Sequence, residues 1–189
     1  MKIIVATHNL NKVKEFKEIL QDTNIELVSL HDLNDFEEIV EDGESFLENA
    51  LIKAKTIYLK YNMPVIADDS GIEIEALNNA PGIHSARYSE DGDLGNNLKV
   101  LARLKDITNR NARFKSVLVL FKGKDNYYSF EGIWEGTIAD KLSGDEGFGY
   151  DPIFIPKGYT QTAASLGMEI KNKESHRAKA LKKFREFIK

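Results

Sequence analysis

Apolar residues recur along this chain at two spacings, and each change of spacing marks where one element gives way to another. Lys2–Ala6 is a short run rich in β-branched residues, read as a buried strand that turns at Thr7-His8-Asn9. Beyond the turn, Val13, Phe16, Ile19 and Leu20 fall on one helical face with charges opposite. Ile25–Leu30 reads as a second strand. Asp42-Gly43-Glu44-Ser45 is a turn, and Ser45 stands three residues before Glu48 in capping-box spacing. The helix it starts carries Phe46, Ala50, Ala54, Ile57 and Tyr61 inward and stops before Pro64. Val65-Ile66-Ala67 is then a strand leading into Asp68-Asp69-Ser70-Gly71.

The second half predicts a helix over Leu94–Leu104. Next come two strand-like stretches, Phe114–Phe121 and Tyr127–Ile133, joined by Lys122-Gly123-Lys124-Asp125-Asn126 as a hairpin. A last helix over Ser175–Ile188 has Ala178, Leu181, Phe184 and Phe187 as its stripe. Helices alternate with strands early and a hairpin follows, so the pattern predicts a mixed α/β sheet.

Composition narrows this picture. At 189 residues, 42% hydrophobic, with no linker-like tract or repeat, the chain is expected to form a single domain over 1–189. No apolar run is long enough for a membrane span. The first residues lack the apolar core of a secretory signal, and there is no cysteine. A cytoplasmic enzyme without membrane association is the simplest expectation. The net charge of −4 speaks against coating nucleic acid. Cations that meet an anionic ligand must therefore be concentrated in one place.

Four stretches could carry chemistry. The turn Thr7-His8-Asn9-Leu10-Asn11-Lys12 sits at a strand-to-helix junction, where backbone N–H groups and a lysine suit phosphate oxygens. It also fits an ordinary polar turn capped by Asn9 or Thr7. The Asp68-Asp69 pair after a buried strand calls for a cation, and Mg²⁺ is the natural one, with Glu41 or Glu44 as a further carboxylate. A solvated acidic turn has the same residues. In Gly144–Pro152 the glycines around Phe148 would let backbone approach a ligand beside a flat ring, or the aromatics simply fill the core. In Lys171–Arg177, Ser175 would cap a helix and place His176 and Arg177 in its first turn, where cations oppose the helix dipole unless an anion or a carbonyl needs them. A basic solvated helix start reads the same.

Taken in order, these stretches resemble the inosine triphosphate pyrophosphatase family. The resemblance covers nearly the whole chain. It includes Thr7-His8-Asn9…Lys12, Ser45–Ala50 with Lys53, Ala67–Gly71, Ala80–Tyr88, Gly147–Phe154 and Ser175–Leu181. It implies an elongated α/β fold, a mixed twisted sheet flanked by helices, with two lobes, a central cleft and pairing as a homodimer. It implies Mg²⁺-dependent hydrolysis of the deaminated purine nucleoside triphosphates ITP, dITP and XTP to monophosphate and pyrophosphate. Carried over by position, Thr7, Asn9, Lys12 and Lys53 hold the triphosphate, with His8, Leu10 and Asn11 completing the turn. Asp69 is the metal-linked carboxylate that activates water, Glu41 is a second metal-side acid, and Ser70 touches substrate. Phe148, Gly149, Tyr150 and Asp151 line the base and sugar pocket, and Lys171, His176 and Arg177 surround the base. His8, Ser165 and Glu174 differ from the residues usual at their places. A related pyrophosphatase of the Maf type and a nucleotide sensor without catalysis are the competing readings.

Overall fold

The β-branched run at the start forms strand β1 (Lys2–Val5) in a computed structural model that describes all of residues 1–189. Helix α1 (Leu10–Leu20) follows, then β2 (Glu26–Ser29), α2 (Phe46–Tyr61), β3 (Val65–Ile74), β4 (Ala80–Pro81) and α3 (Gly92–Arg103). The chain continues through β5 (Asn111–Phe121), β6 (Tyr127–Ile138), β7 (Phe154–Pro156), α4 (Ala163–Leu166), α5 (Met168–Glu174) and α6 (His176–Phe187). The sheet order is β2-β1-β3-β5-β6-β7, with β4 on β3. β1 pairs parallel with β2 and β3, whereas β4 on β3 and β7 on β6 are antiparallel, so the sheet is mixed as the pattern predicts. No helix is long and apolar enough to cross a membrane.

The residues group into two compact units. The first comprises Met1–Asp69, Ser116–Gly132 and Arg177–Lys189; the second comprises Ser70–Lys115 and Ile133–His176. In the first, strand periodicity builds two cores. Ile3, Val5, Ile66, Leu118 and Leu120 pack with Phe16 and Leu20 of α1 and Leu181 and Phe184 of α6. Their neighbours Ile4, Val65, Ala67, Val119 and Phe121 pack with Ala50, Ala54 and Ile57 of α2. Alternate residues of one strand thus serve opposite layers. With both faces covered, the strands read as unbroken apolar runs. In the second unit, Ile72, Ile74, Val100, Leu104, Phe114, Trp134, Ile153 and Phe154 form one core. The ring of Phe154 meets that of Phe114 edge-on at 4.6 Å.

Local signals place the helix ends. Asn9 caps α1, its Oδ1 accepting from the N–H groups of Asn11 and Lys12 at 2.9 and 3.2 Å. Ser45 caps α2 through the N–H of Glu48 at 3.2 Å. The returning half of the box is displaced by one residue, since Glu48 Oε2 accepts from Glu44 N at 2.7 Å. Asn62, at φ +50°, ends α2 in the left-handed region.

Three details depart from the sequence pattern. β5 and β6 are longer than expected. The last helix begins at His176, because Ser175 is extended (φ −63°, ψ 164°) and separates it from the unforeseen α5. Most consequential, Asp68 and Asp69 do not follow a strand but lie within β3. A pleated strand sends successive side chains to opposite faces. The acidic pair is therefore divided, Asp68 toward the layer of α1 and α6 and Asp69 toward that of α2.

Candidate functional site

Two clusters of polar residues account for most of the expected site residues, one in each unit. The first grows from the divided pair. Asp68, almost fully buried, accepts from Lys12 Nζ at 3.2–3.3 Å and from Nε and Nη2 of Arg177 at 3.2 and 3.1 Å. Nη1 of Arg177 meets Glu15, which is buried on the inner face of α1. On the other face of β3, Asp69 Oδ2 accepts from Asn49 Nδ2 at 3.2 Å, and its Oδ1 lies 3.8 Å from Lys53 Nζ. Lys53 Nζ is also 2.9 Å from Glu41 Oε2. Asn49 and Lys53 are four residues apart on α2, so one helix face presents both to Asp69.

Opposite charges divide the titration behaviour of these groups. Burial alone would raise the Asp68 carboxyl, but Lys12, Arg177 and Lys53 outweigh it and hold the group well below the usual carboxylate range. For Asp69 burial prevails: its pKa is raised, with Lys53 and Lys12 opposing and Glu41 adding to the rise. Lys12 is lowered, chiefly by burial, despite Asp68. Burial works against charge on Arg177 as well, yet Glu15 and Asp68 carry its pKa above the ordinary value. Asp68 is thus a fixed anion inside a cage of cations. Asp69 is a carboxylate whose proton affinity is increased.

The phosphate-turn candidates belong to this unit. Asn9 N donates to Thr7 Oγ1 at 3.2 Å, and Asn9 itself is the α1 cap, so the capping reading of the turn is realised in the fold. His8 Nε2 donates to the carbonyl of Asp35 at 3.1 Å, and His31 Nε2 donates to the carbonyl of His8 at 3.0 Å. Leu10 and Asn11 are exposed at the start of α1.

The second cluster surrounds Phe148. Lys171 Nζ lies 2.6 Å from Asp151 Oδ2 and 4.0 Å from the centre of the Phe148 ring. That carboxylate oxygen also accepts from Phe148 N at 2.9 Å. Gly147 is required here, since a Cβ on it would meet Asp151 Oδ2 at 2.1 Å. Tyr150 donates through its hydroxyl to Ser85 O at 2.6 Å. Gly149 has φ +61° and open space where a Cβ would stand. Ser70 is half-buried in β3. His176 stacks on Phe114 at 4.7 Å and 11°. Glu174 accepts from Tyr159 Oη at 2.7 Å, and Ser165 Oγ lies 3.1 Å from Ser143 Oγ and Thr162 Oγ1.

Sequence reasoning groups Lys171, His176 and Arg177 around one base. In the structure Lys171 joins Asp151 and Phe148, His176 lies on Phe114, and Arg177 is engaged by Glu15 and Asp68. Four participants escaped sequence reading: Glu15, Asn49, Asp93 and Asn97. Glu15 and Asn49 carried a readable signal, being polar residues at helical spacing inside the apolar stripes of α1 and α2. Asp93 and Asn97, which bond to the N–H and the carbonyl of Gly149, had none, because that glycine is distant in sequence.

Known proteins match this chain over its full length. The chain is 44% identical to a dITP/XTP pyrophosphatase of Christiangramia forsetii, covering 100% of this chain and 99% of that one. It is 46% identical to a dITP/XTP pyrophosphatase of Bacillus subtilis, covering 98% and 96%. Among solved structures, a HAM1 protein from Coxiella burnetii superposes with a TM-score of 0.91 at 37% identity, over 100% of this chain and 98% of that one. The family model described as the Ham1 family matches residues 3–187. By its mixed α/β fold, its full-length relatives and that match, this chain belongs to the Ham1 family.

Proposed function

We propose that the protein hydrolyses deaminated purine nucleoside triphosphates, ITP, dITP and XTP, at the α–β linkage, releasing the monophosphate and pyrophosphate. The dITP/XTP pyrophosphatases that match end to end support the substrate class. The observation that carries the chemistry is Asp69: a buried carboxylate of raised proton affinity, flanked by Lys53 and Glu41, on the strand whose preceding residue holds Lys12.

In this reading residues 1–189 act as a single catalytic domain, and the protein acts as a homodimer in the cytoplasm. Lys12, Lys53 and the Thr7–Lys12 turn bind the triphosphate. Ser70 contacts the substrate, and Asp69 orients or deprotonates the attacking water. Most of the rate comes from positioning and from neutralising the departing pyrophosphate with lysines, with no covalent intermediate.

No three His, Cys, Asp or Glu side chains form a cage of their own. Two carboxylates are enough for Mg²⁺, which usually keeps waters and takes its remaining ligands from substrate phosphates. Asp69 and Glu41 fit that role, since both approach the same Lys53 ammonium and so point to one small region. When bound, the ion would polarise the phosphoryl oxygens and stabilise the leaving group.

The base is held by Phe148, Gly149, Tyr150 and Asp151. Donors from Lys171 and the His176–Arg177 turn meet the 6-oxo group. A 6-oxo purine accepts hydrogen bonds where adenine donates them, and a mismatch of buried donors can discriminate by roughly 10⁴–10⁵-fold. Pyrophosphate release measured with ITP, XTP, GTP and ATP tests this. ITP and XTP should exceed ATP by orders of magnitude; equal rates on all four would defeat it.

A further inference from the structure

We infer that Asp93 and Asn97, one turn apart on α3, are positioning residues for base selection, acting through the backbone of Gly149. The inference rests on the assignment of Phe148–Asp151 to the base. Gly149 N donates to Asp93 Oδ2 at 2.8 Å, and Asn97 Nδ2 donates to Gly149 O at 2.9 Å. These bonds fall on different peptide units. Asp93 fixes the peptide between Phe148 and Gly149, and Asn97 fixes the one between Gly149 and Tyr150. Together they hold the φ and ψ of a residue that has no side chain to hold them.

That restraint matters because glycine has the widest conformational freedom of any residue. Gly149 adopts φ +61°, and nothing lies within 4 Å of where its Cβ would be. The turn bond from Asp151 N to Phe148 O at 3.3 Å also spans Gly149, and it is longer than either of the two hydrogen bonds. What they orient are the residues on either side. Phe148 lies under the Lys171 ammonium, and Tyr150 is tied to Ser85 O. Asn96, the neighbour of Asn97, donates to the same Ser85 carbonyl at 3.2 Å. One face of α3 thus fixes the backbone beside Phe148 and also supports the residue to which Tyr150 is tied.

Asn97 makes one hydrogen bond and leaves its other polar atom unused. Its side chain is 2% exposed, and its Oδ1 has no protein partner. Burying an unsatisfied polar atom is unfavourable, and an apolar residue would avoid it. Asp93 is exposed and fills no core. Both residues are explained by the peptide they hold.

The test is steady-state pyrophosphate release from ITP and ATP by wild type, Asp93→Ala, Asp93→Asn and Asn97→Ala, with thermal unfolding of each. The alanine variants should raise KM for ITP about five- to tenfold with kcat within about twofold, and reduce the ITP-to-ATP ratio of kcat/KM correspondingly. Asp93→Asn keeps an oxygen acceptor and should recover most of the loss. Asp93→Ala also loses an acid from the first turn of α3, so its unfolding temperature should fall by no more than about 4 °C. Unchanged KM and ratio in an active enzyme, or losses that merely follow a reduced folded fraction, would overturn the inference. A wild type inert toward ITP would instead refute the pyrophosphatase reading beneath it.

Discussion

Asp69→Asn is expected to lower kcat on ITP by about 10³-fold while leaving the fold intact, within the range typical for loss of a general base. The substitution keeps the shape of the side chain and a partner for Asn49, which donates to Oδ2 in the native protein. It removes the charge that the proposed water activation and metal binding require. Stability should move the other way. Asp69 has a folded-state pKa raised by burial, so its ionised form is disfavoured in the folded protein at every pH above that value. A neutral amide lifts this penalty, and the variant should be as stable as wild type at neutral pH or more so. Kinetics and thermal unfolding on the same preparation check both halves. An active variant would remove Asp69 from its role.

The second large effect is on stability. Arg177→Met should destabilise the protein by about 3–5 kcal/mol at neutral pH, because it takes from two buried carboxylates the guanidinium they share. Glu15 and Asp68 are each about 1% exposed, and Arg177 joins them. The pH dependence gives the cause. In wild type the depressed Asp68 contributes stability that is present above its unfolded pKa near 3.8 and is lost as the pH falls through the lower folded value. In the variant, burial of Asp68 is opposed by less positive charge, so proton uptake relieves the penalty as the solution is acidified. The gap between variant and wild type should therefore be widest at neutral pH and narrow below about pH 4 in denaturant titrations. A gap independent of pH would mean that lost packing, not charge, explains the destabilisation.

What could be read from the sequence follows from how far each signal reaches. The strand at Lys2–Val5, the caps Asn9 and Ser45 and the stop at Asn62 before Pro64 are local, set by spacing and side-chain chemistry within a turn or two. The positions of Lys12, Lys53 and the Asp68-Asp69 pair were also legible. The division of that pair followed from strand parity. Ile66 and Asp68 share one parity, Ala67 and Asp69 the other, once β3 is known to run through all four residues. Taking the acids as a turn after the strand hid this. Arg177 could not be placed from the sequence, since its partners stand 162 and 109 residues away. The same holds for Asp93 and Asn97, which meet Gly149 across 56 and 52 residues. α5 was missed because seven residues are too few to show a helical period against Gly167 and Ser175.

The position of bond cleavage is the claim on which the remaining assignments depend. Hydrolysis of ITP in water enriched in ¹⁸O, with mass analysis of the products, reads it directly. Attack at the α-phosphorus puts one heavy oxygen into the monophosphate and none into pyrophosphate, which is the predicted result. Label in pyrophosphate, or release of inorganic orthophosphate as the primary product, would contradict it.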